Sequence, residues 1–261
     1  MAFVDVGGVR LFHRFDGKPG NPVLVLSNSL GSDVTMWDPQ VAAFAERFRV
    51  LRYDSRGHGQ SAVPPGPYRI EDLGRDLVGL LDALGLERVR FCGLSKGGMV
   101  GMWLATNAPE RVERLALCNT SAYFGQPETW RARIEAVRAS GMGAVVPQVI
   151  ERWLTSDFRA RAPEVVEKVR RMLLATPPEG YAACCAAIRD MDQRDSIAAI
   201  RTPTLVVVGS RDPATPPEHG RQIAERIRGA KVVELEASHL SNVEAKDQFT
   251  AAVLGFLEEK P

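Results

Sequence analysis

The octapeptide FCGLSKGG, residues 91–98, lies between an apolar run and a helix-like one, and it sets Ser95 between Gly93 and Gly97. A serine on a sharp strand-to-helix turn needs small neighbours on both sides, because larger ones would drive their Cβ atoms into adjacent backbone. Gly93-Leu94-Ser95-Lys96-Gly97 therefore fits G-x-S-x-G, a turn that lifts a serine hydroxyl above the end of a sheet. The reading requires a strand before the turn and a helix after it.

The flanking sequence supplies both. PVLVLSN (22–28), FRVLRYD (48–54), RVRFCGLS (88–95), RLALCNTS (114–121), TPTLVVVGS (202–210) and KVVELEAS (231–238) are short apolar runs bounded by turn residues. Most are too dense in Val and Leu for half-exposed strands, so they predict a sheet covered on both faces. Between them lie helix-length stretches, the alternation of an α/β fold with a mostly parallel sheet. IEDLGRDLVGLLDALGL (70–86) spaces Ile70, Leu73, Leu77, Leu80, Leu81 and Leu84 at helical intervals and stops at Gly85, a suitable C′ residue.

The rhythm breaks between Ser121 and Asp195. PETWRARIEAVRAS, GAVVPQVIERWLT, PEVVEKVRRMLLA and PEGYAACCAAIRDM are helical runs divided by Pro and Gly. The expected organisation is a core of residues 1–120 and 196–261, with residues 121–195 a helical cap over one end of the sheet.

The chain has 261 residues, enough for one large domain or a domain with an insertion. Its 33 basic and 32 acidic residues give a net charge of +1, so no global field draws it to nucleic acid or an anionic membrane. No apolar run reaches the ~18 residues of a membrane span, and the N-terminus lacks the order of a signal peptide. Cys92, Cys118, Cys184 and Cys185 have neither metal-ligand spacing nor a disulfide framework and read as buried apolar thiols. These features suit a cytoplasmic protein. They leave oligomeric state open.

A serine hydroxyl needs an imidazole to take its proton. The histidines are His13, His58, His219 and His239. The chain order serine, acid, histidine expected after a G-x-S-x-G turn removes the first two. His239 follows the last apolar run, where loops gather at the end of the sheet. His219 falls in the first turn of a helix and reads as a solvated residue, and His58 reads as a structural hydrogen-bonding residue in a glycine-rich loop. Asp212, in LVVVGSRDPATP, follows a strand and suits the acid, whereas Asp190, Asp192 and Asp195 have no preceding strand. The expected oxyanion donors are the backbone N–H groups of Lys96 and of Leu30 in SNSLGSD.

With these residues in place, the chain resembles the α/β-hydrolase superfamily and, within it, the 3-oxoadipate enol-lactonases of the bacterial β-ketoadipate pathway of aromatic breakdown. YDSRGHGQS and the serine turn are superfamily features. LSNSLGSDVTMWDPQ, with Asn28-Ser29 where many relatives carry His-Gly, GYAACCAAIRDMDQR and ASHLSNVE are more particular to the enol-lactonases. The resemblance implies a Ser95, Asp212 and His239 triad, an oxyanion hole at Leu30 and Lys96, and ring opening through an acyl-enzyme without metal or cofactor. It implies Trp153 as a wall of the substrate pocket, and the tryptophan-bearing helices make Trp130 a second candidate for pocket wall or cap core.

Lys96 departs from the methionine or glutamine usual in this group. Three expectations follow: its side chain snorkels to solvent, it recognises an acid group on the substrate, or it is buried unpaired with a desolvation cost and a lowered pKa. Arg131, Arg133 and Arg152 lie in the cap, where a helical arginine ordinarily forms a solvated face. The same turn and triad also serve other small-ester, lactone and carbon–carbon bond hydrolases, and hydrolase-like receptors that hold a ligand with little turnover.

Overall fold

The computed structural model describes residues 2–259. The first strands, β1 (Ala2–Val6) and β2 (Val9–Asp16), form an antiparallel hairpin, turned through Gly7 and Gly8 at positive φ. Then follow β3 (Val23–Ser27), α1 (Asp38–Arg47), β4 (Arg49–Tyr53), α2 (Ile70–Ala83), β5 (Val89–Leu94), α3 (Lys96–Asn107) and β6 (Val112–Cys118). Gly85, at φ 65°, ends α2 as the periodicity predicts.

Five helices separate β6 from the next strand: α4 (Pro127–Ser140), α5 (Val146–Trp153), α6 (Ser156–Arg161), α7 (Pro163–Leu174) and α8 (Pro178–Asp190). The α/β order resumes with β7 (Thr204–Gly209), α9 (Pro217–Arg226), β8 (Lys231–Leu235), the short α10 (Ser241–Glu244) and α11 (Lys246–Glu258). The helical segment leaves and returns at one place. Tyr123 bridges Asp192, and the Gln193 N–H donates to the Ala122 carbonyl at 2.9 Å.

The eight strands form one sheet in the order β1-β2-β4-β3-β5-β6-β7-β8. Every pairing from β4 to β8 is parallel, and β2 joins β4 antiparallel. All residues of β7 are buried, as are the last four of β3 and β5, which accounts for their unbroken apolar sequence. β3 has β4 on one side and β5 on the other, so strand order reverses there. The parallel strands bring the residues after β3, β5, β7 and β8 to one edge of the sheet, outside the carboxyl ends where α/β folds place their sites.

The inserted helices meet the core closely. Cys184 and Cys185 are buried in α8, and all four cysteines are free and buried, as the sequence predicts. At the seam the backbones of Gly57 and Gly180 touch: a Cβ on Gly180 would lie 2.1 Å from the Gly57 carbonyl oxygen. Gly57 also sits at φ 77°, so neither glycine has room for a side chain. Gly180→Ala is therefore expected to cost about 1–3 kcal/mol through overpacking and to lower Tm by several degrees. An unchanged thermal melt would contradict this seam.

Candidate active site

Ser95 occupies the turn between β5 and α3 at φ 56° and ψ −118°, a conformation few non-glycine residues adopt. The neighbouring glycines make the turn possible. A Cβ on Gly93 would stand 2.3 Å from the Gly97 carbonyl oxygen, and one on Gly97 would stand 2.0 Å from that of Ser27. The Ser95 N–H donates to the Cys118 carbonyl at 2.9 Å, and its carbonyl accepts from Thr120 Oγ1 at 2.7 Å. The turn is thereby tied to the end of β6, with the hydroxyl left to the cavity.

Asp212 follows β7 and is buried. Its Oδ2 accepts from Thr215 Oγ1 at 2.7 Å, Asn119 Nδ2 at 3.0 Å and His239 Nδ1 at 2.8 Å, while Oδ1 accepts from the N–H groups of Ala214 and Thr215 at 2.8 and 3.0 Å. Burial alone would raise its pKa. The His239 cation and the hydrogen bonds from His239, Asn119 and Thr215 outweigh that and hold the carboxyl below its ordinary value. With Nδ1 directed at the carboxylate, Nε2 is the imidazole nitrogen left for chemistry.

Ser95 and His239 both line a cavity of about 230 Å³, with Leu30 and Ser29 from the loop after β3. No hydrogen bond joins Ser95 Oγ to His239 in this structure; the two side chains meet only at the cavity. Lys96 begins α3, which places its N–H at the N-terminus of that helix beside Ser95. Trp130, Trp153, Arg133, Arg152 and Tyr181 come from the inserted helices and complete the wall. Trp153 packs against His239, ring centroids 5.9 Å apart.

Three sequence expectations need correction. Lys96 neither reaches solvent nor lines the cavity: its side chain is buried and Nζ donates to Ser55 Oγ. Desolvation lowers its pKa against the pull of Cys184 and Asp54.

His219 is only partly exposed to solvent. It lines the cavity, its Nδ1 is buried without a hydrogen-bond partner among the described residues, and its ring meets Phe124 edge-on at 5.8 Å. Burial lowers its pKa although Asp212 and Glu218 pull the other way. Its position soon after Asp212, past a strand end, was the signal available in the sequence.

The arginines also divide. Arg131 pairs with Glu128 on the outside and Arg152 is exposed, as expected, but Arg152 and the half-buried Arg133 both line the cavity, and among the described residues neither pairs with a carboxylate. Burial raises the pKa of the Tyr181 phenol, helped by Cys185, while Arg133 and Arg152 oppose the rise. Helical periodicity gives the facing of α4 and α5 only once their packing partners are known. His58, by contrast, is a buried hydrogen-bonding residue of the kind expected: its Nε2 accepts from the Gly31 N–H at 2.8 Å.

Residues 22–246 match the model of the alpha/beta hydrolase fold family. The chain belongs to the α/β-hydrolase fold family. It is 42% identical over 245 residues, 94% of this chain and 92% of the other, to 3-oxoadipate enol-lactonase 2 of Acinetobacter baylyi. The structure of the enol-lactonase from Burkholderia xenovorans LB400 superposes with a TM-score of 0.97 at 48% identity, covering 99% of this chain and 100% of that one. A hydrolase from Pseudomonas aeruginosa PA01 gives a TM-score of 0.96 at 48% identity, covering 99% and 98%. Among the described residues of this α/β-hydrolase no helix is long and apolar enough to cross a membrane.

Because Lys96 Nζ lies outside the cavity wall, Lys96→Met is expected to leave KM for an anionic substrate within about twofold, and to leave Tm unchanged or raise it by relieving a buried charge. A KM increase of about tenfold or more would show that the ammonium acts on the substrate.

Proposed function

We propose that this protein hydrolyses 3-oxoadipate enol-lactone, with Ser95 as nucleophile, His239 as general base and acid, and Asp212 as the residue that orients His239 and stabilises the imidazolium it forms during the reaction. The observation that carries the reading is one cavity lined both by Ser95 and an Asp212-bound His239 and by two arginines of the inserted helices, Arg133 and Arg152, that pair with no carboxylate among the described residues. The named likeness of its relatives supports the same substrate.

In the first step Ser95 Oγ bonds to the lactone carbonyl carbon while its proton passes to His239 Nε2. Negative charge gathers on the carbonyl oxygen, and the N–H groups of Leu30 and Lys96 receive it; losing one such donor typically costs ~3–4 kcal/mol. The tetrahedral centre collapses with cleavage of the ring carbon–oxygen bond. The departing enol oxygen takes the proton from His239, which leaves an acyl-enzyme whose enol becomes the ketone. Water then gives a proton to His239 and its oxygen to the acyl carbon, and the proton returns to Ser95 as 3-oxoadipate departs. An enol is a better leaving group than a simple alkoxide, so imidazole protonation suffices. Asp212, held ionised by its five donors, stabilises the imidazolium formed twice in this cycle.

The substrate carries a free carboxylate besides the lactone. Arg133 is half-buried with its guanidinium 5.1 Å from the Trp130 ring centroid, and Arg152 is an exposed lining residue, an arrangement suited to holding an anion without full desolvation. A charge-assisted hydrogen bond there contributes about 1.5–3 kcal/mol. Trp130 and Trp153 supply flat apolar surface to the same cavity.

Hydrolysis of freshly generated 3-oxoadipate enol-lactone tests the reading. Rapid turnover that falls about 10⁴-fold or more in Ser95→Ala is expected. Turnover of p-nitrophenyl acetate with none of the enol-lactone would instead point to another small-ester hydrolase, and tight binding of the lactone with no turnover to a receptor. Arg133→Gln and Arg152→Gln are each expected to raise KM for the anionic lactone about tenfold more than for the neutral ester. Equal effects on both substrates would remove the arginines from carboxylate recognition.

A further inference from the structure

The loop after β3 is held at more points than its length requires. Asn28 Nδ2 donates to the Tyr53 carbonyl at 2.9 Å, and its Oδ1 accepts from Trp37 Nε1 at 2.9 Å, which fixes the loop's first residue. The Ser29 carbonyl accepts from Ser32 Oγ at 2.9 Å. A trans peptide points its N–H opposite to its carbonyl, so this bond turns the Leu30 N–H the other way. The plane is steady only if the residue after Leu30 is also fixed.

Gly31 is that residue, and it is gripped from two elements. Its N–H donates to His58 Nε2 at 2.8 Å, and its carbonyl accepts from Thr176 Oγ1 at 3.0 Å, a shorter contact than the 3.3 Å that Thr176 makes with the Met172 carbonyl. Gly31 sits at φ 78°, and a Cβ there would meet Leu173 at 2.9 Å and Tyr181 at 3.0 Å, so the loop presses directly on the inserted helices. We propose that His58 and Thr176 are positioning residues for the oxyanion donor: together they clamp Gly31 and thereby hold the Leu30 N–H aimed at the reacting carbonyl. The inference rests on the reading of Leu30 as an oxyanion donor given above.

His58 fills this role only as the neutral ring protonated at Nδ1, since Nε2 must offer a lone pair. Nδ1 faces the Arg56 carbonyl at 3.3 Å and Cys184 Sγ at 3.9 Å. Burial, then the nearby Lys96 cation, lowers the His58 pKa against the Arg56 carbonyl contact. The Lys96 side chain, which lines no part of the cavity, thus has a place beside His58. Thr176 lies between α7 and α8, so the clamp makes the inserted helices part of the transition-state machinery as well as the pocket wall.

The experiment compares His58→Leu with His58→Gln, whose Oε1 can stand where Nε2 accepts, and Thr176→Val with Thr176→Ser. Each is assayed for kcat and KM on the enol-lactone, for inhibition by an alkylboronic acid that forms a tetrahedral adduct on the nucleophile, and for Tm. His58→Leu is expected to lower kcat about 10–100-fold with KM within twofold and to weaken the boronic acid in parallel, with His58→Gln recovering at least tenfold of that loss. Thr176→Val is expected to lower kcat about 3–10-fold and Thr176→Ser to restore it. If His58→Leu does not fold, His58→Gln and the Thr176 pair decide the matter by the same split. Leu and Gln variants equally impaired, losses appearing in KM, or a Val variant with wild-type kcat would overturn the clamp. A wild-type protein that turns over neither lactone nor ester would instead remove the reading on which it rests.

Discussion

The strained backbone of Ser95 is the constraint from which most of the molecule follows. A non-glycine residue at φ 56° is held there only when its surroundings leave no alternative, at a cost of order 1–3 kcal/mol. Gly93 and Gly97 give up their side chains to admit the turn, the Ser27 carbonyl approaches Gly97 more closely than any Cβ would allow, and Cys118 at the end of β6 and Thr120 just after it hold the turn. The same approach of α3 to the end of β3 brings the Leu30 loop beside Ser95. Parallel pairing of β5 through β8 then puts Asp212 and His239 at that edge.

Around this turn charge is distributed with care for desolvation. Asp212 is buried but receives five hydrogen bonds, so it remains a carboxylate able to balance an imidazolium. The His239 loop is tied to the inserted helices: Ser238 Oγ donates to the Arg152 carbonyl at 2.7 Å, and the Leu240 N–H donates to that of Trp153 at 3.0 Å. The residues that contact the substrate in our account, Arg152 and Trp153, are thus attached through their backbones to the loop that carries the base. Gly57 against Gly180 and Thr176 on Gly31 bind the other side of the same segment. Such attachments favour a fixed wall over a freely swinging one.

The sequence makes the backbone plan legible because each signal is local. Glycines at 93 and 97, dense Val and Leu in buried strands, and Gly85 closing α2 all declare their conformation within a few residues. Asp212 and His239 could be placed because both follow strands. What escaped was side-chain direction where it depends on distant packing. Arg131 and Arg133 are two apart on α4, yet one pairs with Glu128 outside and the other enters the cavity. Lys96 looked like a charge near the reaction, but its stem extends to Ser55. His219 looked solvated because the Phe124 it packs against lies almost a hundred residues away, beyond the reach of any periodicity.

The most direct test of the account is covalent labelling with a fluorophosphonate, followed by peptide mass mapping and an assay of the enol-lactone on the same sample. One phosphonyl group on Ser95, complete loss of lactone hydrolysis, and slower labelling when 3-oxoadipate occupies the cavity are predicted. A label on another residue, or lactone hydrolysis that survives stoichiometric labelling of Ser95, would contradict the assignment of nucleophile and cavity together.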